Sequence, residues 1–106
     1  MIKRIWHGWT TPENADAYFQ VLTGEVIPGI EAKNLKGFLG IEVLRKDNEN
    51  EVEFITIMSF ASLDNIIAFQ GTDYERCYVP DVARRVLKRW DQIAQHYANV
   101  EVRSYA

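Results

Sequence analysis

Between residues 2 and 10 the side chains alternate with the two-residue period of a strand. Ile2, Arg4, Trp6 and Gly8 fall on one side, and Lys3, Ile5, His7 and Trp9 on the other. Bulky groups occur on both sides, so neither face of this strand reads as simply solvated. Thr10-Thr11-Pro12-Glu13 follows as a helix start, either a capping box of Thr10 with Glu13 or a Thr11 cap with Pro12 at the first helical position. Ala15, Tyr18, Phe19, Leu22 and Val26 then recur at helical spacing and predict one apolar stripe on a helix running to about residue 26. Pro28-Gly29 is expected to break that helix, and Ile30 to Lys36 reads as a loop.

A second strand is predicted over 37–45, with Leu39, Ile41 and Val43 on its more apolar face. The polar run from Lys46 to Glu51 is too short for a parallel crossover, so the next strand, Val52 to Phe60, pairs with it as an antiparallel hairpin. That third strand is apolar on both faces and is expected to be central. Ser62 caps a second helix carrying Leu63, Ile66, Ile67 and Phe69, and Gly71 ends it. Residues 72–78 read as a short helical turn and Asp81 to Trp90 as a further helical segment. A last strand is expected from about Gln92 to Val102, with Ala94, His96, Ala98, Val100 and Val102 on one side and Ile93, Gln95, Tyr97 and Asn99 on the other.

Strand, helix, strand, strand, helix, strand is the split βαβ order of a ferredoxin-like βαββαβ sandwich. The expectation is an α+β protein, one domain over residues 1–106, with helices on one face of a four-stranded antiparallel sheet. The other face would then lie bare and apolar. A two-fold homodimer joined through the sheet faces is the simplest way to cover it.

Composition narrows the function. Twelve Lys and Arg against fifteen Asp and Glu give a net charge of −3, without the basic excess of a nucleic-acid binder. The one basic cluster, Arg84, Arg85, Lys88 and Arg89, reads as a solvated helix face. No apolar run reaches the roughly 18 residues that suggest a membrane span. The start of the chain, Met1-Ile2-Lys3-Arg4-Ile5, is charged and strand-like rather than signal-like, so a cytoplasmic location is the default expectation. Cys77 is the single cysteine; it reads as a small half-buried apolar residue, and neither an internal disulfide nor a thiolate metal cluster can form from it.

Several stretches resemble one family taken in order. They are Ile5-Trp6-His7-Gly8, the hairpin Phe38 to Arg45, Phe54 to Phe60 with Ser62-Leu63, Ile66 to Asp73, the step Tyr78-Val79-Pro80, and the closing His96-Tyr97. Together they resemble the antibiotic biosynthesis monooxygenase-like proteins of the dimeric α+β barrel superfamily. The resemblance implies a dimer whose sheets pack into a barrel, and a pocket in each protomer between sheet and helices. It implies chemistry ranging from cofactor-independent oxygenation of aromatic or quinol-like molecules to haem degradation. The haem-degrading branch uses an Asn on the first strand, a Trp on the second helix and an axial His nearby. This chain offers His7, Phe69 and no histidine between Tyr74 and Pro80 at those places, which argues against that activity.

The residues themselves supply few chemical groups. There is no glycine-rich phosphate loop, and the two histidines are too far apart in sequence for a local zinc motif, so no cofactor or metal is expected. His96 on the last strand is the acid/base candidate, since histidine titrates near neutrality; the alternative is a packed strand histidine bonded to backbone or to Tyr97. His7 is a weaker catalytic candidate and otherwise an interface or surface residue. Trp6, Phe54, Phe69, Tyr78 and Tyr97 could wall a flat ligand or serve as core. Arg4 shares a side with Trp6; inward, it would need a carboxylate such as Asp73 or an anionic ligand, and outward it would be an ordinary solvated arginine. The expected function is a cofactor-independent monooxygenase acting on a small aromatic or quinone-like substrate, with a non-catalytic small-molecule-binding barrel as the alternative.

Overall fold

A computed structural model describes all 106 residues. Strand β1 (Ile2–Thr10) leads through a 3-10 turn at Pro12–Asn14 into helix α1 (Ala15–Val21), a π turn (Leu22–Val26) and helix α2 (Ile27–Glu31). Strands β2 (Phe38–Asp47) and β3 (Val52–Phe60) form the hairpin, followed by helices α3 (Leu63–Gln70) and α4 (Asp81–Arg84) and the short strands β4 (Arg89–Trp90) and β5 (Gln95–Ala98). The sheet runs β2-β3-β1 with β4 and β5 both against the free edge of β1, every pair antiparallel. This is the ferredoxin-like α+β arrangement, with the last strand in two pieces.

Two departures from the expected elements have identifiable causes. The first helix does not end at Pro28-Gly29. Pro28 lacks an N–H and cannot close a normal helical turn, and the chain widens just before it: the Ile27 N–H reaches back to the Leu22 carbonyl. Pro28 then occupies the first turn of α2, where no donor is needed, and helical backbone continues to Glu31. The segment expected to be helical to Trp90 stops at Arg84. There the Lys88 N–H is drawn to the Trp9 carbonyl at 2.7 Å, and the backbone joins the sheet instead.

The last strand is broken by a bulge. Gly8 pairs with Trp90 and Ile5 with Gln95, so Trp6 and His7 face the longer segment Asp91–Ala94. The bulge finds its partners elsewhere: the Cys77 N–H donates to the Gln92 carbonyl at 3.0 Å and the Ala94 N–H to the Glu75 carbonyl at 2.7 Å. Beyond Ala98 no regular structure continues, so Val100 and Val102 stand exposed rather than on a strand face.

The apolar core lies between the sheet and the helices in two clusters. One holds Ala15, Tyr18, Leu22, Val52, Phe54, Ala83 and Leu87; the other holds Met58, Phe60 and Ile66. On the opposite sheet face Ile5, Trp9, Ile55 and Ile57 are only half-buried, while Leu44 and Tyr97 are 45% and 55% exposed. The Arg89 guanidinium lies 3.8 Å above the Trp9 ring and covers part of that face. No helix is long and apolar enough to cross a membrane.

Phe60 has no exposed surface and packs against Phe38 and Phe69 with ring centroids 5.3 and 6.0 Å away. Truncation there removes ring burial and leaves a cavity. Phe60→Ala is expected to lower unfolding free energy by about 3–5 kcal/mol, read as a shifted urea midpoint.

Candidate functional site

The two core clusters do not close on each other. Between them lies a cleft of about 520 Å³, inside the range of roughly 300–1,000 Å³ usual for small-molecule sites. Its floor comes from the inner face of β1, through Arg4 and Trp6, with Met58 and Thr56 of β3 and Ile41 of β2 beside them. One wall is helical, from Tyr18 through Leu22 and Val26 to Ile30 and Lys33. The opposite wall is Phe69 at the end of α3 and the loop Cys77–Pro80, with Ala83 behind it. The π turn forced by Pro28 therefore shapes the wall: Leu22, Glu25 and Val26 all belong to it.

Trp6 is set by its neighbours on both sides. Its indole N–H donates to the Asp91 carbonyl at 2.9 Å, gripping the bulge. Its ring lies over Gly8, two residues along the same face, where a Cβ would sit only 2.6 Å from the ring. Glycine is thus required at position 8 for the tryptophan to lie flat along the strand.

Arg4 is the most unusual residue of the site. It lies directly across from His96 in the β1–β5 register, and both side chains project to the inner face. Only 5% of Arg4 is exposed. Its Nη1 donates to the Tyr74 carbonyl at 2.6 Å and to His96 Nε2 at 2.9 Å, and its Nη2 to Cys77 Sγ at 3.7 Å. An arginine has no acceptor, so His96 Nε2 must be the unprotonated nitrogen and the imidazole neutral. Burial and the Arg4 charge both hold the His96 pKa below its ordinary value, with Glu75 pulling the other way from the solvent side. Burial pushes the Cys77 thiol up, so Cys77 stays a thiol beside the guanidinium. Burial likewise raises the Tyr18 phenol.

Of the expected site residues, Arg4, Trp6, Phe69 and Tyr78 meet at the cleft. His96 does not line it; it backs Arg4 and stacks edge-on against Tyr74 at 5.1 Å. Phe54 is fully buried in the core, edge-on to Tyr18 at 5.0 Å, and does not reach the cleft. Asp73 is exposed and pairs with Arg76 at 2.9 Å rather than with Arg4. Tyr97 and His7 sit on the other sheet face, His7 with Nδ1 3.1 Å from Asp91 Oδ2 and its ring 5.8 Å from Trp9. Glu25, Lys33 and Thr56 are lining residues that pattern alone did not single out. Glu25 and Lys33 fall where spacing predicts a helix end and a loop, which assigns them no common face. No group of three His, Cys, Asp or Glu side chains is placed to hold a metal ion.

No family model and no curated protein sequence matches this chain. Solved structures do. The crystal structure of a putative antibiotic biosynthesis monooxygenase from Bacillus cereus superposes with a TM-score of 0.70 at 12% identity, over 99% of this chain and 96% of that one. The two chains share a fold. The shared fold extends over nearly the whole length of this chain. At that identity the likeness concerns backbone architecture, and the cleft must be read from its own side chains.

Two outcomes test the site's construction. Gly8→Ala should force Trp6 off its position, shifting tryptophan fluorescence and costing about 1–3 kcal/mol of stability. For His96, a folded-state pKa below 6.5 means that the unfolded chain binds the proton first as pH falls. Its contribution is fully present above the unfolded value and is lost as pH drops from about 6.5 towards the lower folded value. His96→Gln should flatten that part of the stability–pH curve relative to the parent, measured by thermal melts between pH 7.5 and 5.

Proposed function

We propose that this chain is a homodimeric, cofactor-independent monooxygenase that binds a small, flat, aromatic or quinone-like molecule in the cleft. The observation that carries the reading is the cleft itself: largely apolar, walled by Trp6, Phe69 and Tyr78, and floored by one buried cation. Flat apolar molecules gain from aromatic walls that exclude water. The fold shared with a protein described as a monooxygenase supports the reaction class.

The chemistry needs no bound redox group. A ring CH₂ next to a conjugated carbonyl ionises to a delocalised anion, which can pass an electron to O₂. Collapse of the resulting pair forms a C–O bond as a peroxide. Loss of the remaining C–H proton with the distal oxygen leaves a carbonyl and water, so one CH₂ and one O₂ become one C=O and one H₂O. Arg4 would favour the anion. His96 is already an acceptor for Arg4, so we assign it to positioning Arg4. Glu25 on the cleft lining is the carboxylate available to receive the first proton.

A non-catalytic binding protein is the second reading. The same occupied lone pair of His96 favours it, because no histidine base is then poised at the cleft. Oxygen uptake with anthrone as substrate separates the two. Turnover that falls in Trp6→Ala supports the oxygenase; tight binding of anthrone without oxygen consumption supports the binder.

The dimer draws its support from the bare outer face of the sheet, where Ile5, Leu44, Ile55, Ile57 and Tyr97 form an apolar surface. Leu44 is 45% exposed in the single chain, so a charge there should fold normally yet resist burial against a second copy. The parent protein should sediment as a dimer at micromolar concentration and Leu44→Glu as a monomer. A monomeric parent would remove the proposed barrel.

A further inference from the structure

We infer that the ligand of the cleft carries an ionised acidic oxygen on its flat apolar body, and that this oxygen seats on Arg4. The inference rests on reading the cleft as a small-molecule site and names the class of molecule it selects.

The argument begins with charge. Arg4 is only 5% exposed, yet it belongs to none of the ion pairs of this structure. Its three partners, the Tyr74 carbonyl, neutral His96 and the Cys77 thiol, carry no charge. Buried cations are ordinarily paired, because removing an isolated charge from water is costly. The carboxylate that could have neutralised Arg4, Asp73, is turned outward to Arg76.

Geometry supplies the second part. The Tyr74 and His96 bonds occupy both hydrogens of Nη1, fixing the plane of the guanidinium. Nε makes no hydrogen bond, and Nη2 makes only the long contact to sulfur. The free edge of the fork, Nε with Nη2, is the edge that matches a planar oxyanion two atoms wide. Arg4 is itself part of the cleft lining, which is otherwise largely apolar, with Met58, Ile41 and Trp6 near the floor and Phe69 on the wall. Two other charges line the cleft, Glu25 and Lys33; Lys33 lies 5.2 Å from the centre of the Phe69 ring.

A carboxylate and the enolate of a hydroxyquinone present the same chemistry to this edge, so both are probed. Binding of 2-naphthoate is compared with 2-naphthamide, and 2-hydroxy-1,4-naphthoquinone with 1,4-naphthoquinone, by titration calorimetry at pH 7.5. The acid of at least one pair should bind about tenfold or more tighter than its neutral partner, the usual scale for a hydrogen bond to a charged group. Which pair shows the larger ratio tells a fixed carboxylate from an ionising enol. In Arg4→Met the ratio should fall to about one, and in Arg4→Lys, which keeps the charge without the fork, to a value between. Each variant is checked for a native circular dichroism spectrum. Equal affinities for acid and neutral in the parent overturn the inference while leaving the cleft as a small-molecule site. A preference that survives Arg4→Met also overturns it, and points to Lys33. Failure of all four compounds to bind the parent removes the cleft reading and the inference together.

Discussion

The Arg4 guanidinium ties the chain into one object. It projects from the inner face of β1 and donates to Tyr74 and His96, which lie 70 and 92 residues away in sequence, and to Cys77. Those partners belong to the loop after α3 and to the short last strand. Their positions follow from what they offer a buried cation. The loop turns a carbonyl inward, the strand turns an imidazole inward, and the thiol stays protonated. Neutral partners can orient a guanidinium without satisfying its charge. The resulting fold holds a directed positive group at the floor of an apolar cleft.

Much of this was legible in the residues. β1 and β3 fall where alternation put them, because every second residue of β1 is committed to one face: Arg4, Gly8 and Thr10 are buried inward. α3 begins at Ser62, whose side chain accepts from the Asn65 N–H, and ends at Gly71 with φ of 90°. Local chemistry of that kind is decisive over a few residues. One failure comes from a local adjustment and the other from a distant partner. Pro28 ends a helix by local rules, but a wider turn at Leu22–Val26 lets it begin a new one. Residues after Arg84 carry helical spacing, yet the Trp9 carbonyl captures Lys88. Neither outcome can be seen from spacing alone.

The site divides the same way. Strand alternation places Arg4 and Trp6 together, and Phe69 and Tyr78 are candidates as aromatic walls; all four line the cleft. Phe54 lies on the same inner face but is fully buried in the core, edge-on to Tyr18. Tyr97 lies one residue from His96 and therefore faces away. Asp73 has the right charge for Arg4, but Arg76, three residues along, holds it at the surface. Tyr97 and Asp73 are settled locally, by alternation and by a partner three residues away, whereas the burial of Phe54 is tertiary information.

The bulge at Asp91–Ala94 connects the two faces of the sheet. On the inner side its Asp91 carbonyl accepts from the Trp6 indole and fixes one side of the cleft floor. On the outer side the Asp91 carboxylate meets His7, through both the backbone N–H and Nδ1 at 3.1 Å. A regular strand would have run straight past β1 and left the indole N–H without this acceptor. It would also have left the loop at Glu75–Cys77 without its ladder to Gln92 and Ala94. That loop carries Cys77 and Tyr78 to the cleft wall. The irregularity in the last strand therefore shapes the cleft as directly as any side chain that lines it. It also brings Asp91 to the sheet face proposed to meet a second copy, so the bulge lies between the cleft and the proposed dimer seam. Edge bulges re-aim side chains in this way because the extra residues leave the ladder and must find new partners.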